Sequence, residues 1–321
     1  MITTDNPALA QIFAARETLS FGELRSAGLS SALIRLSLTR RALVRIGRDI
    51  YTLGPEWADL DTYVRAGRRI RSMARRSEAT KTASGIAVGP SAAVLWGADL
   101  LHVPTLVHLA GEARYGRRSA DGVVVHGFAL HPDEVTSLGG VLVTTRERTL
   151  IDCAAMLSRE EAVVVVDSLL HAGARKHVAR ELFRRHRRIG AANIRWALDF
   201  GNGLAESAGE SRARYAFNLL GLPAPELQVV LETRRGSVRL DFRWKKYRLV
   251  CAFDGKVKYG KYANGDPQNV AWNERQRELA IIDTDHEVFR LIWPDLSNLQ
   301  LINRRFLDAR DRAIRRFGLI V

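Results

Sequence analysis

The chain has 321 residues, enough for two or three domains, and its 49 lysines and arginines against 35 aspartates and glutamates give a net charge of +14. This excess favours a polyanionic partner, above all a nucleic acid, because cations placed on phosphates release condensed counterions. No apolar stretch reaches about 20 residues, no secretion signal opens the chain and only two cysteines occur, which disfavours membrane and secreted classes and predicts a cytoplasmic protein.

The first 53 residues carry the pattern of three short helices followed by a hairpin. Hydrophobic spacing predicts a helix near residues 9–13, the Ser20 and Glu23 pair predicts the capped start of a second helix, and a third helix follows through Leu38. Residues 43–53 then predict two short strands. Three helices and a two-stranded wing are typical of a winged helix, whose third helix would enter the major groove of DNA. The alternative is a three-helix unit with no role in DNA binding.

The arginines of this segment fall where such docking would need them. Those on or just after the third helix, and those on the wing, are Arg35, Arg40, Arg41, Arg45 and Arg48.

Residues 64–76 predict a helix that contains six arginines and no acidic residue. At about 100° per residue, these arginines cover roughly half of the helix circumference. Solvation alone would explain a basic face, but the lack of a compensating acid makes phosphate contact an equal alternative. The candidate phosphate-binding residues are Arg65, Arg68, Arg69, Arg75 and Arg76, and Arg71 shares their face.

Short strands and helices between residues 87 and 175 predict a mixed α/β segment. The eight histidines of the chain are scattered, and no pair has convincing metal-ligand spacing. Turn-forming residues from Asp199 to Gly203 predict a domain boundary. The predicted organisation is therefore a winged helix over residues 1–53, an α/β middle domain over 54–200 and a third domain over 201–321.

The third domain predicts a helix followed by three strands. On the second strand, alternation puts Leu240 and Phe242 on one side and Asp241 on the other. An antiparallel turn would bring Asp241 close to Asp254 on the next strand, and Glu210 on the preceding helix is a third acid that could close on them. The alternative is a surface hairpin with ordinary salt bridges.

Two or three carboxylates beside a lysine are what metal-assisted phosphodiester hydrolysis requires. Carboxylates hold Mg²⁺ or Mn²⁺, the metal activates a water nucleophile, and a lysine neutralises the developing anion. An Asp followed some 10 to 20 residues later by an acid-x-Lys sequence is the skeleton of the PD-(D/E)xK nucleases. Asp241 and the Asp254-Gly255-Lys256 sequence match it.

Four segments of this domain resemble the DUF559 family, which is similar to very-short-patch-repair-type nucleases of the PD-(D/E)xK superfamily. They are residues 210–212, 221–228, 240–242 and 253–260, and the resemblance covers about 206–296. It implies a restriction-endonuclease-like sheet flanked by helices. The whole chain is accordingly predicted to be of the α/β (α+β) class.

The N-terminal part, about residues 7–175, resembles actinobacterial proteins with an AbiEi-type antitoxin winged helix. The segments that carry this resemblance are 42–53, 91–97 and 144–152. The resemblance implies a role in phage defence or toxin–antitoxin control, with a cognate toxin as a protein partner.

Carried over residue by residue, the DUF559 resemblance implies Glu210 as the helix acid, Asp241 as the central metal ligand and Asp254 as the second strand acid. Lys256 or Lys258 would be their basic partner. The same resemblance makes Gln228 a polar residue that assists near the site.

One position departs from the family pattern. The family usually has Glu-x-Asp-Gly where this chain has Ala252, Phe253, Asp254 and Gly255, so one carboxylate is missing. Either the site is inactivated at position 252, or the Asp254-x-Lys256 sequence takes over the role of the missing carboxylate. Two functions therefore stay open: a metal-dependent endonuclease acting on double-stranded DNA, and a non-catalytic DNA-binding antitoxin or transcriptional regulator. A nuclease that acts on RNA is a third and less favoured alternative. Paired half-sites in the DNA would require a homodimer.

Overall fold

The computed structural model describes residues 7–81, 83–111, 117–118, 122–127, 129–185, 190–255 and 267–320. Helices and sheets mix along the chain, so the predicted α/β class is confirmed. The chain divides into two compact units. Unit 1 comprises Met1–Met156 and Arg175–Ile194, and unit 2 comprises Leu157–Ala174 and Arg195–Val321. Among the described residues, no helix combines the length and apolar character that a bilayer span requires.

This division differs from the predicted boundaries at residues 53 and 200. No break follows residue 53, because Ile46 and Ile50 of the hairpin share one buried cluster with Ile70 and Met73 of the next long helix. Hydrophobic burial therefore joins the first 53 residues to the segment that follows them.

Unit 1 begins with α1 (Pro7–Phe13), α2 (Phe21–Ser26) and α3 (Ser31–Thr39), followed by the antiparallel pair β1 (Leu43–Gly47) and β2 (Ile50–Leu53). These are the elements that the sequence predicts. The capping box at α2 is also confirmed, because the Ser20 hydroxyl accepts from Glu23 N–H and the Glu23 carboxylate accepts from Ser20 N–H.

The rest of unit 1 is a helical layer over short strands. Its helices are α4 (Gly54–Asp59), α5 (Thr62–Ala79), α6 (Gly89–Leu95), α7 (Arg146–Met156) and α9 (Lys176–Arg185). Its strands are β3 (Val107–Ala110), β4 (Arg117–Arg118), β5 (Val123–His126), β6 (Val135–Leu138) and β7 (Val141–Thr144). β3 and β5 are parallel, β4 pairs antiparallel with β5, and β6 and β7 form an antiparallel pair.

A buried ion cluster ties α7 to the segment just before β6. Arg148 is 1% exposed, and its guanidinium lies 2.7 Å from the Glu134 carboxylate and 2.9 Å from the Asp152 carboxylate. All three side chains are buried. Charges held in this way satisfy one another, whereas any member left alone would carry the full cost of desolvation.

Unit 2 contains α8 (Arg159–His171), α11 (Ala208–Leu219), α12 (Pro267–Ile282) and α13 (Leu299–Phe317), while α10 (Ala191–Phe200) crosses the boundary between the units. Its strands are β8 (Glu226–Thr233), β9 (Gly236–Trp244), β10 (Leu249–Asp254) and β11 (Glu287–Ile292), in the sheet order β11-β10-β9-β8. β11 is parallel to β10, and the other pairs are antiparallel.

Each face of this sheet carries its own hydrophobic cluster. Cys251 of β10 packs with residues of α11 and α13, including Phe217 and Phe306. The preceding residue Val250 packs in the second cluster with Ile281 of α12. Since successive residues of a strand point to opposite faces, α11 and α13 cover one face and α12 covers the other.

Candidate functional site

The arginines of α3 and of the hairpin lie on an exposed part of unit 1. α3 buries Ile34 and Ser37, which leaves Arg35 on its solvent side. The five candidate residues Arg35, Arg40, Arg41, Arg45 and Arg48 are all exposed. Within the described chain, neither Arg35 nor Arg41 nor Arg45 forms an ion pair. Their charge is therefore available to an anionic partner.

The arginines of α5 differ from the prediction in one important respect. Arg68 is 8% exposed and lies 3.4 Å from the Glu17 carboxylate and 3.6 Å from that of Glu56. Arg76 forms an ion pair of 2.6 Å with Asp49. The expectation that these charges lack compensating acids is wrong, because the acids come from other segments that fold onto the helix.

Three further arginines of α5 bind backbone carbonyls. Arg65 Nε donates to Trp57 O at 2.8 Å, Arg69 Nη1 to Thr105 O at 2.6 Å and Arg75 Nη2 to Gly139 O at 3.1 Å. Burial lowers the pKa of Arg69. Arg75 stays exposed. These side chains tie α5 to its neighbours, and a phosphate role is better supported at α3 and the hairpin.

A groove of about 810 Å³ in unit 1 runs between residues 15–23 and α5. Its charges are largely compensated by ion pairs on its own walls. These pairs are Arg16 with Glu23, Arg71 with Glu17 and Arg76 with Asp49. The lining therefore does not present the single sign of charge that would concentrate an anion.

In unit 2, the regular alternation of side chains along β8 and β9 is interrupted at one point, so that residues two apart in each strand lie on opposite faces of the sheet. Leu227 and Phe242 belong to the cluster below α11, whereas Val229 and Leu240 belong to the cluster below α12. The predicted placement of Leu240 and Phe242 on one side is thus wrong. Between them the backbone of Gln228 takes a φ of +50°, a conformation that a non-glycine residue rarely adopts.

Asp241 lies in β9 at this crossover. Leu227 pairs with Phe242 and Val229 with Leu240, so Gln228 stands opposite Asp241. One Asp241 oxygen accepts from the Phe253 N–H at 2.8 Å. The carboxylate thus accepts a hydrogen bond from the backbone of β10 just past Cys251, the last residue of β10 that pairs with β9.

Glu210 approaches the same point from α11. It is 8% exposed, and its carboxylate accepts from Glu206 N–H at 3.1 Å, from the Ser207 hydroxyl at 2.8 Å and from Gln228 Nε2 at 2.8 Å. Burial raises the pKa of Glu210, these hydrogen bonds oppose the rise, and the negative charge of Asp241 adds to it. Gln228 is thus hydrogen-bonded to Glu210, and Asp241 lies near enough for its charge to act on Glu210.

Asp254 is engaged differently, on the face that α12 covers. Its Oδ2 lies 2.7 Å from Arg290 Nη1, and Arg290 Nη2 lies 3.1 Å from a carboxylate oxygen of Glu278. Arg290 is on β11 and Glu278 is on α12. The guanidinium thus bridges two acids, one of which was predicted to hold a metal.

Ala252 faces this bridge. It pairs with Arg290 in the parallel register of β10 and β11, and the two lie on the same face. A cavity of about 10 Å³ beside it, about the room for one water, is lined by Asp241, Arg277, Glu278 and Arg290 together with apolar side chains. The missing carboxylate at position 252 therefore leaves little free volume.

The described residues do not fit a resident Mg²⁺ or Mn²⁺. One observation favours a bound ion, because Gln228 Oε1 is buried with no hydrogen-bond partner in the described part of the chain. Against it, the Glu210 oxygens already accept three hydrogen bonds and Asp254 pairs with Arg290. Among the residues that the structure describes, no three acids, histidines or cysteines are placed to hold an ion. Lys256 and Lys258 lie outside the described residues.

The sequence analysis missed Arg290 and Glu278 as neighbours of the site, whereas the DUF559 resemblance implies that a charged helix with Glu274 and Arg277 packs by it, and Arg277 does line the cavity beside Ala252. Arg290 lies more than 30 residues beyond Asp254, and only the parallel pairing of β11 brings it there. Arg277 Nη2 donates to the Arg239 carbonyl, which fixes α12 to β9. The charge of Arg290 within the otherwise apolar run of residues 288–292 is the sequence signal that could have indicated it.

Comparison with known proteins adds relatives without a stated activity. Two proteins of Mycobacterium tuberculosis, "Uncharacterized protein MT2308" of strain CDC 1551 / Oshkosh and "Uncharacterized protein Rv2248" of strain H37Rv, are each 30% identical over 167 residues. The match covers 51% of this chain and 60% of each relative, so the chain spans well under two thirds of their length. No family model matches the chain.

Proposed function

We propose that the chain binds double-stranded DNA through a winged-helix segment at residues 7–53 and that unit 2 is a nuclease-like domain without a working metal site. The observation that carries the first part is the exposed set of arginines on α3 and the β1–β2 hairpin. Arg35, Arg41 and Arg45 can neutralise phosphates without first giving up an ion partner among the described residues. The function is then that of a DNA-binding regulator, antitoxin-like in its resemblance.

The second part rests on the donor set of unit 2. Asp254 is paired with Arg290, position 252 is alanine and the Glu210 oxygens already accept three hydrogen bonds from internal donors. Metal-dependent phosphodiester hydrolysis remains the second candidate, favoured by the convergence of Glu210, Gln228 and Asp241. A cytoplasmic location, a homodimer on paired half-sites and a cognate toxin belong to this proposal and are untested.

The test compares two triple variants of equal charge. R35Q/R41Q/R45Q removes the proposed phosphate contacts, whereas R16Q/R175Q/R185Q removes three arginines of unit 1 that are ion-paired to acids. Each phosphate contact contributes about 0.9 to the slope of log K against log salt concentration, so the first variant should lower this slope by about 2 to 3. Fluorescence anisotropy with duplex DNA, at salt concentrations from about 50 to 200 mM, measures this slope.

Equal effects of the two triple variants would contradict the assignment to α3 and the hairpin. A structured RNA competing better than duplex DNA would replace the DNA proposal by an RNA one. Nicking of supercoiled plasmid in Mg²⁺ or Mn²⁺ that is abolished by D241N, while DNA binding persists, would establish the nuclease instead of the regulator.

A further inference from the structure

The positive charge between the carboxylates of Asp254 and Glu278 is the guanidinium of Arg290. Arg290 presents two donors of its planar fork to two different carboxylates, at 2.7 and 3.1 Å. Its side chain is 31% exposed, while those of Asp254 and Glu278 are 15% and 24% exposed, so the three groups are partly shielded from water. Charge-assisted hydrogen bonds of this kind are strong and directional. A divalent ion at this point would meet a fixed positive charge.

The strand register explains why position 252 matters to this arginine. Ala252 and Arg290 are direct neighbours across β10 and β11, and two residues earlier Val250 and Val288 are neighbours in the same register. Val250 and Val288 both belong to the cluster beneath α12. A glutamate at position 252 would therefore project beside the Arg290 guanidinium on the α12 face.

We propose that Arg290 is the resident cation of unit 2 and that it closes the Ala252–Asp254 region to divalent metals. The inference rests on the second part of the proposed function, that unit 2 lacks a working metal site, and names the group that closes it. If the missing carboxylate alone prevented metal binding, A252E would restore a metal site; a closing role for Arg290 predicts that A252E does not. In A252E, the new carboxylate pairs with Arg290, and the variant does not gain a metal. Only the combined variant A252E/R290Q frees the carboxylates of residues 241, 252 and 254 for an ion.

The experiment titrates Mn²⁺ into the full-length wild-type chain, A252E, A252E/R290Q and A252E/R312Q by isothermal titration calorimetry. R312Q is the matched control, because Arg312 forms an ion pair of 2.6 Å with Glu287 on the same strand but outside the cluster. We expect saturable binding at one site in A252E/R290Q, and in A252E, A252E/R312Q and the wild type either no binding or binding weaker by about 10- to 100-fold or more. Adding D241N should abolish it. Thermal unfolding with and without Mn²⁺ is the second readout.

Several outcomes would overturn the inference. These are Mn²⁺ binding by the wild type that D241N removes, binding by A252E as tight as by A252E/R290Q, and a folded A252E/R290Q that binds no metal. If A252E/R290Q does not fold, the wild type and A252E still decide, since binding by either contradicts a closing role for Arg290. None of these results bears on the DNA-binding measurements with unit 1 variants, so this inference and the DNA-binding part of the proposed function fail separately. Binding of Mn²⁺ by A252E alone would overturn the role of Arg290 and leave the proposed function standing, whereas binding by the wild type would overturn both statements about unit 2.

Discussion

Arg148 offers the sharpest test of how unit 1 is held together. Its guanidinium is 1% exposed and is shared by Glu134 and Asp152, whose side chains are fully buried. Replacing it by methionine in R148M keeps much of the packing volume but removes the positive charge. Two carboxylates then remain in an interior that water does not reach, and each lacks its cationic partner.

The expected loss is large on the scale of protein stability. Breaking a buried ion pair by removing one partner costs about 3 to 5 kcal/mol. For a unit of this size, about 1 kcal/mol shifts the melting temperature by roughly 2 to 4 °C. R148M should therefore melt roughly 6 to 20 °C below the wild type. A matched surface variant, R185M, removes an arginine paired with Asp133 and Glu181 at 41% exposure, and it should cost no more than about 1 kcal/mol.

Urea unfolding followed by circular dichroism gives the free energies, and hydrogen exchange over α7 shows whether the loss is in unit 1. The triple variant R148M/E134Q/D152N should recover most of the stability, because it removes the uncompensated charges as well. If R148M costs no more than R185M, or if neutralising both acids restores nothing, the interpretation of this cluster as mutually dependent buried charges is refuted.

Two further predictions concern packing and pH. In G209A the new Cβ would lie 2.0 Å from Phe253 Cε1, so unit 2 should lose about 1 to 3 kcal/mol in urea unfolding; an unchanged midpoint would show that the ring moves freely. Burial lowers the pKa of His126, with the charge of Asp152 acting in the opposite direction, so the unfolded chain binds a proton that the folded unit does not as the pH falls below 6.5. Unit 1 should therefore lose stability below that pH, and H126Q should weaken the loss in unfolding curves taken between pH 5 and 8.

Local signals predicted the elements well. The Ser20–Glu23 capping box, the hairpin at residues 43–53 and the strand alternation that ends at Asp254 are encoded by neighbours in the chain, and each is present in the structure. The order of the helix that carries Glu210 and the two strands that carry Asp241 and Asp254 was also predictable from the sequence, and the structure contains these elements.

Long-range pairing was what the sequence could not reveal. The acids that neutralise α5 come from Glu17, Asp49 and Glu56, and no periodicity connects them to that helix. Gln228 takes a left-handed backbone conformation that sequence arguments reserve for glycine or asparagine, so the exchange of faces at Asp241 had no signal. The bridging position of Arg290 depends on the register of a parallel strand, which side-chain alternation does not fix.

The path of the chain has a consequence for how it is made. Residues 157–174 belong to unit 2 but are translated before 175–194, which complete unit 1. On the ribosome, helix α8 of unit 2 therefore emerges before α9, which completes unit 1, and before α11, against which α8 packs. A fragment ending at residue 156 would lack part of unit 1, and one starting at 201 would lack α8, whose Asp167 pairs with Arg214 at 2.5 Å. Nascent α8, rich in valine, is where we expect a chaperone to be needed.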